Sequence, residues 1–295
     1  MDVSIIIVNY NTKDLTNQCI KSVRSNTVGL SYEIILVDNG SDDGSKEFFE
    51  YSNDIVYIYS DCNLGFGKAN NLGFTKASGK YIFLLNSDTI LMNNAIKMFF
   101  DYMEHAIVNI ACCGCFLRNS QNEIIHSYGR FHTFWNSISE CCFQSYLLHL
   151  GINLHKYDYP IKKQKYCEVE YITGAAVFLR KEVADKYGLF DPDFFMYCED
   201  VEMAKRYSMQ NYKSILLDTP RIVHLVGMSN KRNNYIKQIM LIRSLFLYEK
   251  KYMSKMEYAL YNSFFKFLYC LCFVGRNCSF KIKIKHIKDV VKIKI

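Results

Sequence analysis

Residues 3–25 read VSIIIVNYNTKDLTNQCIKSVRS, and their order decides the fold. Val3 to Val8 is a continuous apolar, β-branched run, the pattern of a strand buried on both faces of a parallel sheet. The polar turn Asn9 to Thr12 follows, and then the helix-like segment Lys13 to Ser25. Together they make one strand, loop and helix unit. The unit repeats downstream. Glu33 to Val37 leads into the turn Asp38 to Ser45. Asp54 to Tyr59 leads into Asn63 to Gly67, a helix near Lys68 to Lys76 stopped by Gly79, and the strand Tyr81 to Leu85. Strands alternating with helices imply an α/β fold with an open, mostly parallel, Rossmann-like sheet and flanking helices. Ligands of such sheets bind beyond the carboxyl ends of the strands. The turns Asn9 to Thr12, Asp38 to Ser41 and Asn86 to Thr89 are therefore expected on one crevice, with a helix over Thr89 to Phe100.

The chain has 295 residues, of which 50% are apolar and 22% charged, enough for one large core and a smaller annex. The apolar run after Met1 has no basic flank and no cleavage-like site, so it reads as a strand rather than a secretory signal, and a cytoplasmic location is expected. The 12 cysteines are scattered or crowded without paired spacing and read as buried thiols, a metal cluster being the lesser alternative. The net charge of +7 is uneven: Arg276 to Ile295 holds seven Lys or Arg and one Asp, leaving the rest close to neutral. Basic residues confined to a tail, without a recognisable reader fold, argue against a nucleic-acid partner.

Residues 116–166 lose the strand and helix rhythm and read as loops and short helices over the cleft, on the acceptor side. The rhythm returns at Tyr171 to Leu179. The stretch up to Tyr207 then delivers the adjacent Glu199 and Asp200 from a turn onto a helix, where an acid pair can serve as a general base. A structural reading stands beside it: acids in a first helical turn favour the dipole, and Glu202 with Arg206 is an ordinary i,i+4 pair.

Six segments in order, VSIIIVNYNT, ILVDNGSDDGS, NLGFGKANNLGF, FLLNSD, ITGAAVFLRKEV and FFMYCEDVEMAKR, resemble the family 2 glycosyltransferases of the GT-A fold. Within that family the resemblance is nearest to the rhamnosyltransferase-like branch of bacterial surface-polysaccharide synthesis, and it covers residues 1–228. It implies inverting transfer of a hexosyl unit, rhamnose on branch likeness, from a dTDP-, UDP- or GDP-linked donor to a hydroxyl of a glycan or lipid-linked acceptor. By the same resemblance Asp200 is the base and Glu199 supports it. Asn9, Tyr10, Asn11, Asp38, Asn63, Gly65, Lys68, Asn70, Asn86, Ser87 and Gly174 fall on the nucleotide and donor. Asp88 and His224 fall on Mg2+ or Mn2+, hard cations that prefer oxygen ligands. The first acid of the family's DxD motif is here Asn86, which leaves Asp88 the main acidic ligand.

The residues themselves leave alternatives open. Asp38 also begins Asp-Asn-Gly, a strong turn sequence. Asp88 can cap a helix, His224 can be a satisfied core residue, and Gly174 can mark a strand bulge rather than a close approach of sugar. The Gly65 and Gly67 pair lacks the third glycine of a dinucleotide fingerprint. Asn9 to Thr12 is not the Gly-rich phosphate loop of a nucleotidyltransferase.

Residues 229–295 read as a helical extension with an amphipathic segment over 258–274, apolar apart from Asn262, Ser263 and Lys266, and a basic tail over 276–295. A helix lying in the bilayer interface beside a Lys-rich tail suits an anionic inner leaflet, which makes a peripheral, membrane-associating enzyme the expectation. The other reading packs the helix on the body, with Lys281 to Ile295 as an edge strand. A catalytically inactive nucleotide-sugar-binding scaffold is the competing function, and the presence of Asp88, Glu199 and Asp200 favours the enzyme.

Overall fold

The computed structural model describes residues 1–106, 109–133, 165–225, 234–274 and 280–293. In chain order these form β1 (Val3–Asn9), α1 (Lys13–Asn26), β2 (Tyr32–Asp38), α2 (Ser45–Phe49), β3 (Ile55–Tyr59), α3 (Phe66–Phe74), β4 (Tyr81–Asn86), β5 (Thr89–Leu91) and α4 (Ala95–His105). Then come β6 (Ile110–Arg118), β7 (Tyr128–Gly129), β8 (Tyr166–Val169), β9 (Tyr171–Ile172), β10 (Ala176–Arg180), α5 (Lys181–Tyr187), α6 (Glu199–Ser208) and β11 (Lys213–His224). Three helices follow, α7 (Asn234–Tyr252), α8 (Lys255–Val274) and α9 (Phe280–Val291). The chain divides into two compact units, Met1–Phe131 with Pro160–Lys231, and His132–Tyr159 with Arg232–Ile295. Most of the acceptor-side stretch expected over residues 116–166 lies outside the described residues.

In the first unit, nine strands form one sheet in the order β3-β2-β1-β4-β10-β6-β11-β5, with β8 paired to β11. Strands β1 to β4 run parallel, β10 is antiparallel to both of its neighbours, and β6 and β11 are parallel again. The sheet is thus mixed and mostly parallel, as the alternation of strands and helices requires. Strand side chains alternate between its faces. Val3, Ile5 and Ile7 join Cys19, Ile20 and Val23 of α1 and Phe99 and Met103 of α4. Ile6, Ile35 and Val37 join Ala69 of α3, Val183 of α5 and Met203 of α6 on the other face. Each fully buried Ile contributes about 1.5–3 kcal/mol, more than the roughly 1 kcal/mol net of a ladder hydrogen bond, so burial on both faces selects the strand. At position 73 only glycine lets α3 lie on the sheet, since a Cβ there would come within 2.6 Å of the Ile6 methyl.

Three boundaries differ from the sequence reading. The segment after Asp88 is not helical at once: Thr89 to Leu91 form β5, paired to His224 to Ile222 of β11, and α4 begins only at Ala95. A free sheet edge recruits the β-branched Thr89 and Ile90 before a helix can start. Helix α3 begins at Phe66, ahead of Lys68. The Lys and Ile alternation near the C-terminus is helical in α9 and not an edge strand. Cys19, Cys112, Cys113, Cys115 and Cys198 are buried free thiols, while Cys62 is exposed.

The second unit packs Ile242 and Phe246 of α7 against Tyr261 and Phe265 of α8 and Val290 of α9. Tyr261 and Phe265, one turn apart, stack with ring centres 4.2 Å apart. Lys266, a member of the polar stripe read from the sequence, turns back to donate to the Ile293 carbonyl at 2.8 Å and lies over the Phe246 ring. Met256, Leu260, Phe264 and Phe267 are exposed along one face of α8. Among the described residues no helix is long and apolar enough to cross a membrane.

Helix α6 is tied down by a buried ion pair. Glu202 is fully buried and accepts from Arg206 Nε at 3.1 Å and Nη2 at 3.0 Å. Arg206 also donates to the Gly188 and Leu189 carbonyls, each at 2.8 Å, and to that of Tyr187, so it clamps the loop after α5. Removing one partner strands the other charge in the interior. Arg206→Ala, which removes the cation paired with the fully buried Glu202, is therefore expected to destabilise the protein by about 3–5 kcal/mol in denaturant titration. A loss below about 1 kcal/mol, the size of an exposed pair, would contradict the buried geometry.

Candidate active site

Four polar turns meet at the carboxyl ends of β1, β2 and β4. Asn9 is buried at the end of β1, its Oδ1 accepting from Thr12 Oγ1 at 2.9 Å and its Nδ2 donating to Ser41 Oγ at 3.0 Å. Asn11, left-handed at φ +55°, donates its N–H to the same Ser41 Oγ and accepts from Asp42 N at 2.8 Å. Tyr10 between them is half-buried. Thr12 Oγ1 lies 3.0 Å from Ser87 Oγ, which joins the β1 turn to the β4 turn. Asn39, which the sequence reading did not single out, links the β2 turn to the next loop: it accepts from Leu64 N at 2.8 Å and donates to Asn63 Oδ1 at 3.1 Å.

Asp38 is fully buried, its Oδ1 accepting from Ser41 N at 3.0 Å and its Oδ2 from the Tyr57 hydroxyl at 2.8 Å. The bond from Ser41 closes the turn, and a nucleoside donor would share Oδ2 with Tyr57. No local pattern marks Tyr57, which reaches Asp38 from the neighbouring strand. Lys68 is exposed on α3. Asn70 is buried and donates to the Phe66 carbonyl at 3.0 Å, turning into its own helix.

Asp88 and His224 come together because β5 pairs with β11. His224 Nε2 lies 3.1 Å from Asp88 Oδ1, with side-chain exposures of 16% and 3%. Asn86, the family-motif position without a carboxylate, has a buried Oδ1 with no hydrogen-bond partner. A carboxylate beside an imidazole suits a divalent cation. Among the described residues no third His, Cys, Asp or Glu joins them, so an ion held there would draw its other ligands from substrate oxygens and water.

The acid pair sits across the β4–β10 junction. Asn86 N donates to the Ala175 carbonyl at 3.0 Å, and the next residue back, Gly174, donates its N–H to Asp200 Oδ2 at 2.7 Å. Asp200 Oδ1 accepts from Val201 N at 2.8 Å. The two acids open α6 behind Tyr197 and Cys198, both left-handed at φ +74° and +64°. Non-glycine residues held there cost about 1–3 kcal/mol each and concentrate at functional sites. Glu199 is 6% exposed, and its Oε2 is buried without a partner. Burial, and then the charge of Asp200, push the Glu199 carboxyl up to about 8. Burial also raises Asp200, opposed by the amides of Gly174 and Val201. Burial and mutual repulsion thus favour a proton on the pair, while the amides of Gly174 and Val201 support the charged form of Asp200.

Residues 4–188 match the family described as "Glycosyl transferase family 2". The chain is 30% identical over 106 residues to glycosyltransferase GlyG of Streptococcus pneumoniae, covering 35% of each chain. It is 24% identical over 238 residues to rhamnosyltransferase WbbL of Escherichia coli K12, covering 78% of this chain and 85% of that one. A mannosyltransferase from Pyrobaculum calidifontis, solved with GDP-Man and Mn2+, superposes with a TM-score of 0.57 at 14% identity, over 99% of this chain and 73% of that one. The chain belongs to glycosyltransferase family 2, and its sheet has the GT-A fold.

Glu199 gives stability a pH dependence. Its folded value near 8 lies above the ordinary 4.5, so the folded state binds more proton between those limits. Stability is then lost as pH rises through that window, by up to about 1.4 kcal/mol per pH unit for one proton. Glu199→Gln is expected to flatten the slope and to gain on the wild type at pH 8 but not at pH 4.5. Parallel pH curves for the two proteins in thermal melts would remove the assignment.

Proposed function

We propose that this chain is an inverting hexosyltransferase. It moves a sugar, rhamnose on branch likeness, from a dTDP-, UDP- or GDP-linked donor to a hydroxyl of a glycan or lipid-linked acceptor in surface-polysaccharide synthesis. The observation that carries the reading is the contiguity of Asp88 and His224 with Asp200 through Asn86, Ala175 and Gly174. An ion-binding pair and a base are thus held on one rim by main-chain bonds.

In this reading the turns at Asn9 to Asn11, Asp38 and Asn63 to Lys68 hold the nucleotide, and Asn86 to Asp88 face the diphosphate. Asp88 and His224 would hold Mg2+ or Mn2+. When bound, the ion offsets the charge of the leaving diphosphate. Asp200 takes the proton of the acceptor hydroxyl as its oxygen bonds to the anomeric carbon, and the bond from that carbon to the diphosphate oxygen breaks on the opposite face. The anomeric configuration inverts, and the electron pair leaves on the nucleotide diphosphate. Glu199, neutral and buried, keeps a second negative charge away from the reacting oxygen.

The setting we assign is the inner face of the plasma membrane, with the protein peripheral on it. Supporting this are the exposures of Met256 (75%), Leu260 (61%) and Phe267 (61%) on α8, and the exposed Lys285 and Lys288 on α9 with Lys292 just after it. Apolar contact and basic charge together suit an anionic leaflet.

Calorimetry with dTDP-rhamnose and the common UDP- and GDP-sugars, with and without Mn2+, is expected to find one donor whose binding needs the ion. Asp200→Asn should then cut turnover about 10²- to 10⁴-fold with donor binding kept. Asp88→Ala should weaken ion-dependent binding. Equal loss of binding in both variants would refute this division of roles. Replacing the exposed Lys285, Lys288 and Lys292 of the tail by Ala should reduce binding to phosphatidylserine vesicles in a salt-sensitive way. Unchanged vesicle binding would refute the membrane role of the tail.

A further inference from the structure

The first turn of α3 and the loop leading to the acid pair are stitched together by main-chain contacts. Phe66 N donates to the Phe195 carbonyl at 2.9 Å. Asn71 binds Phe190 at two points, as a neighbouring strand would: its Nδ2 donates to the Phe190 carbonyl at 2.7 Å, and Phe190 N donates to its Oδ1 at 3.0 Å. The Phe66 and Phe190 rings lie 5.8 Å apart. Gly65, at φ +85°, has no room for a Cβ, which would overlap the Phe195 carbonyl oxygen. On its other side, Phe66 reaches Gly174, whose amide holds Asp200. A methyl group on Gly174 would lie 3.3 Å from the Phe66 ring and 3.6 Å from Asp200 Oδ2, so ring and carboxylate flank the same bare glycine.

We infer that Phe66 and Asn71 are positioning residues that couple the donor-side loop to the acid pair. The Phe66 ring walls Asp200 against the Gly174 amide. Asn71 anchors the start of the loop whose left-handed Tyr197 and Cys198 aim Glu199 and Asp200. A turn strained at two consecutive residues persists only where its surroundings over-determine it, and these contacts are part of that surrounding. Neither residue touches the reacting atoms. They set where the base stands when the donor loop is in place, and a displacement on the order of 1 Å is enough to matter. This coupling rests on the transferase reading.

The test uses the full chain with Phe66→Ala, Asn71→Ala and the conservative Phe66→Leu. Three quantities are measured: hydrogen exchange over residues 172–177, calorimetric affinity for the nucleotide sugar that binds the wild type, and turnover. In the two alanine variants, exchange at the Gly174 amide should rise about tenfold and turnover fall about 10- to 100-fold, with donor affinity within about twofold. Phe66→Leu should recover most of the turnover. Unchanged exchange, loosened exchange with unchanged turnover, or donor affinity falling in step with turnover would each overturn the coupling. If exchange loosens as expected while the wild type binds no nucleotide sugar, the two loops are coupled and the transferase reading fails.

Discussion

The antiparallel insertion of β10 between β4 and β6 is the constraint on which the site depends. Parallel strands end on one rim, and an antiparallel neighbour must begin there. Ala176 therefore pairs with Leu85, and the residues just before it, Gly174 and Ala175, stand beside Asn86. Main-chain amides then do the placing: that of Asn86 donates to the Ala175 carbonyl on one side, and that of Gly174 to the Asp200 carboxylate on the other. The same logic operates at β5 and β11, where antiparallel pairing sets Thr89 opposite His224 and so brings Asp88 to its imidazole. Side chains far apart in sequence meet because the backbone ladder leaves them no other register.

Burial gives the two acids different characters. Helix α6 presents its N-terminus to both, which favours negative charge, yet Glu199 is enclosed with its Oε2 unpartnered while Asp200 keeps two amide donors. Desolvation leads at both, and hydrogen bonding opposes it more at Asp200, so the two carboxyls differ in how well they bear charge. The arrangement is held against backbone strain at Tyr197 and Cys198 by the Glu202–Arg206 clamp behind the acids and by packing from the donor-side loop ahead of them.

The second unit divides one helix between two environments. Tyr261 and Phe265 of α8 are the core of its three-helix packing, while Met256, Leu260 and Phe267, on another face of the same helix, remain exposed. Lys266, which looks like part of the polar stripe in a helical projection, is drawn into the unit by a single carbonyl.

By itself the sequence determined the strands β1 to β4 and β10, the turns after them and the family. Strands buried on both faces write themselves as continuous runs of Val, Ile and Leu, turns write themselves in Asn, Asp and Gly, and six motifs kept in order identify the glycosyltransferase class. It also placed Glu199 and Asp200 at a helix start, because the helix that follows is amphipathic and locally readable. Only the tertiary structure decided the direction of β10, the strand at Thr89 to Leu91 where a helix was expected, the reach of Tyr57 to Asp38, and the inward turn of Asn70. Each of these depends on a partner from another part of the chain. Periodicity reports only which face of an element is apolar, whereas pairing across the sheet and free carbonyls nearby settle what that face, and the polar groups beside it, finally touch.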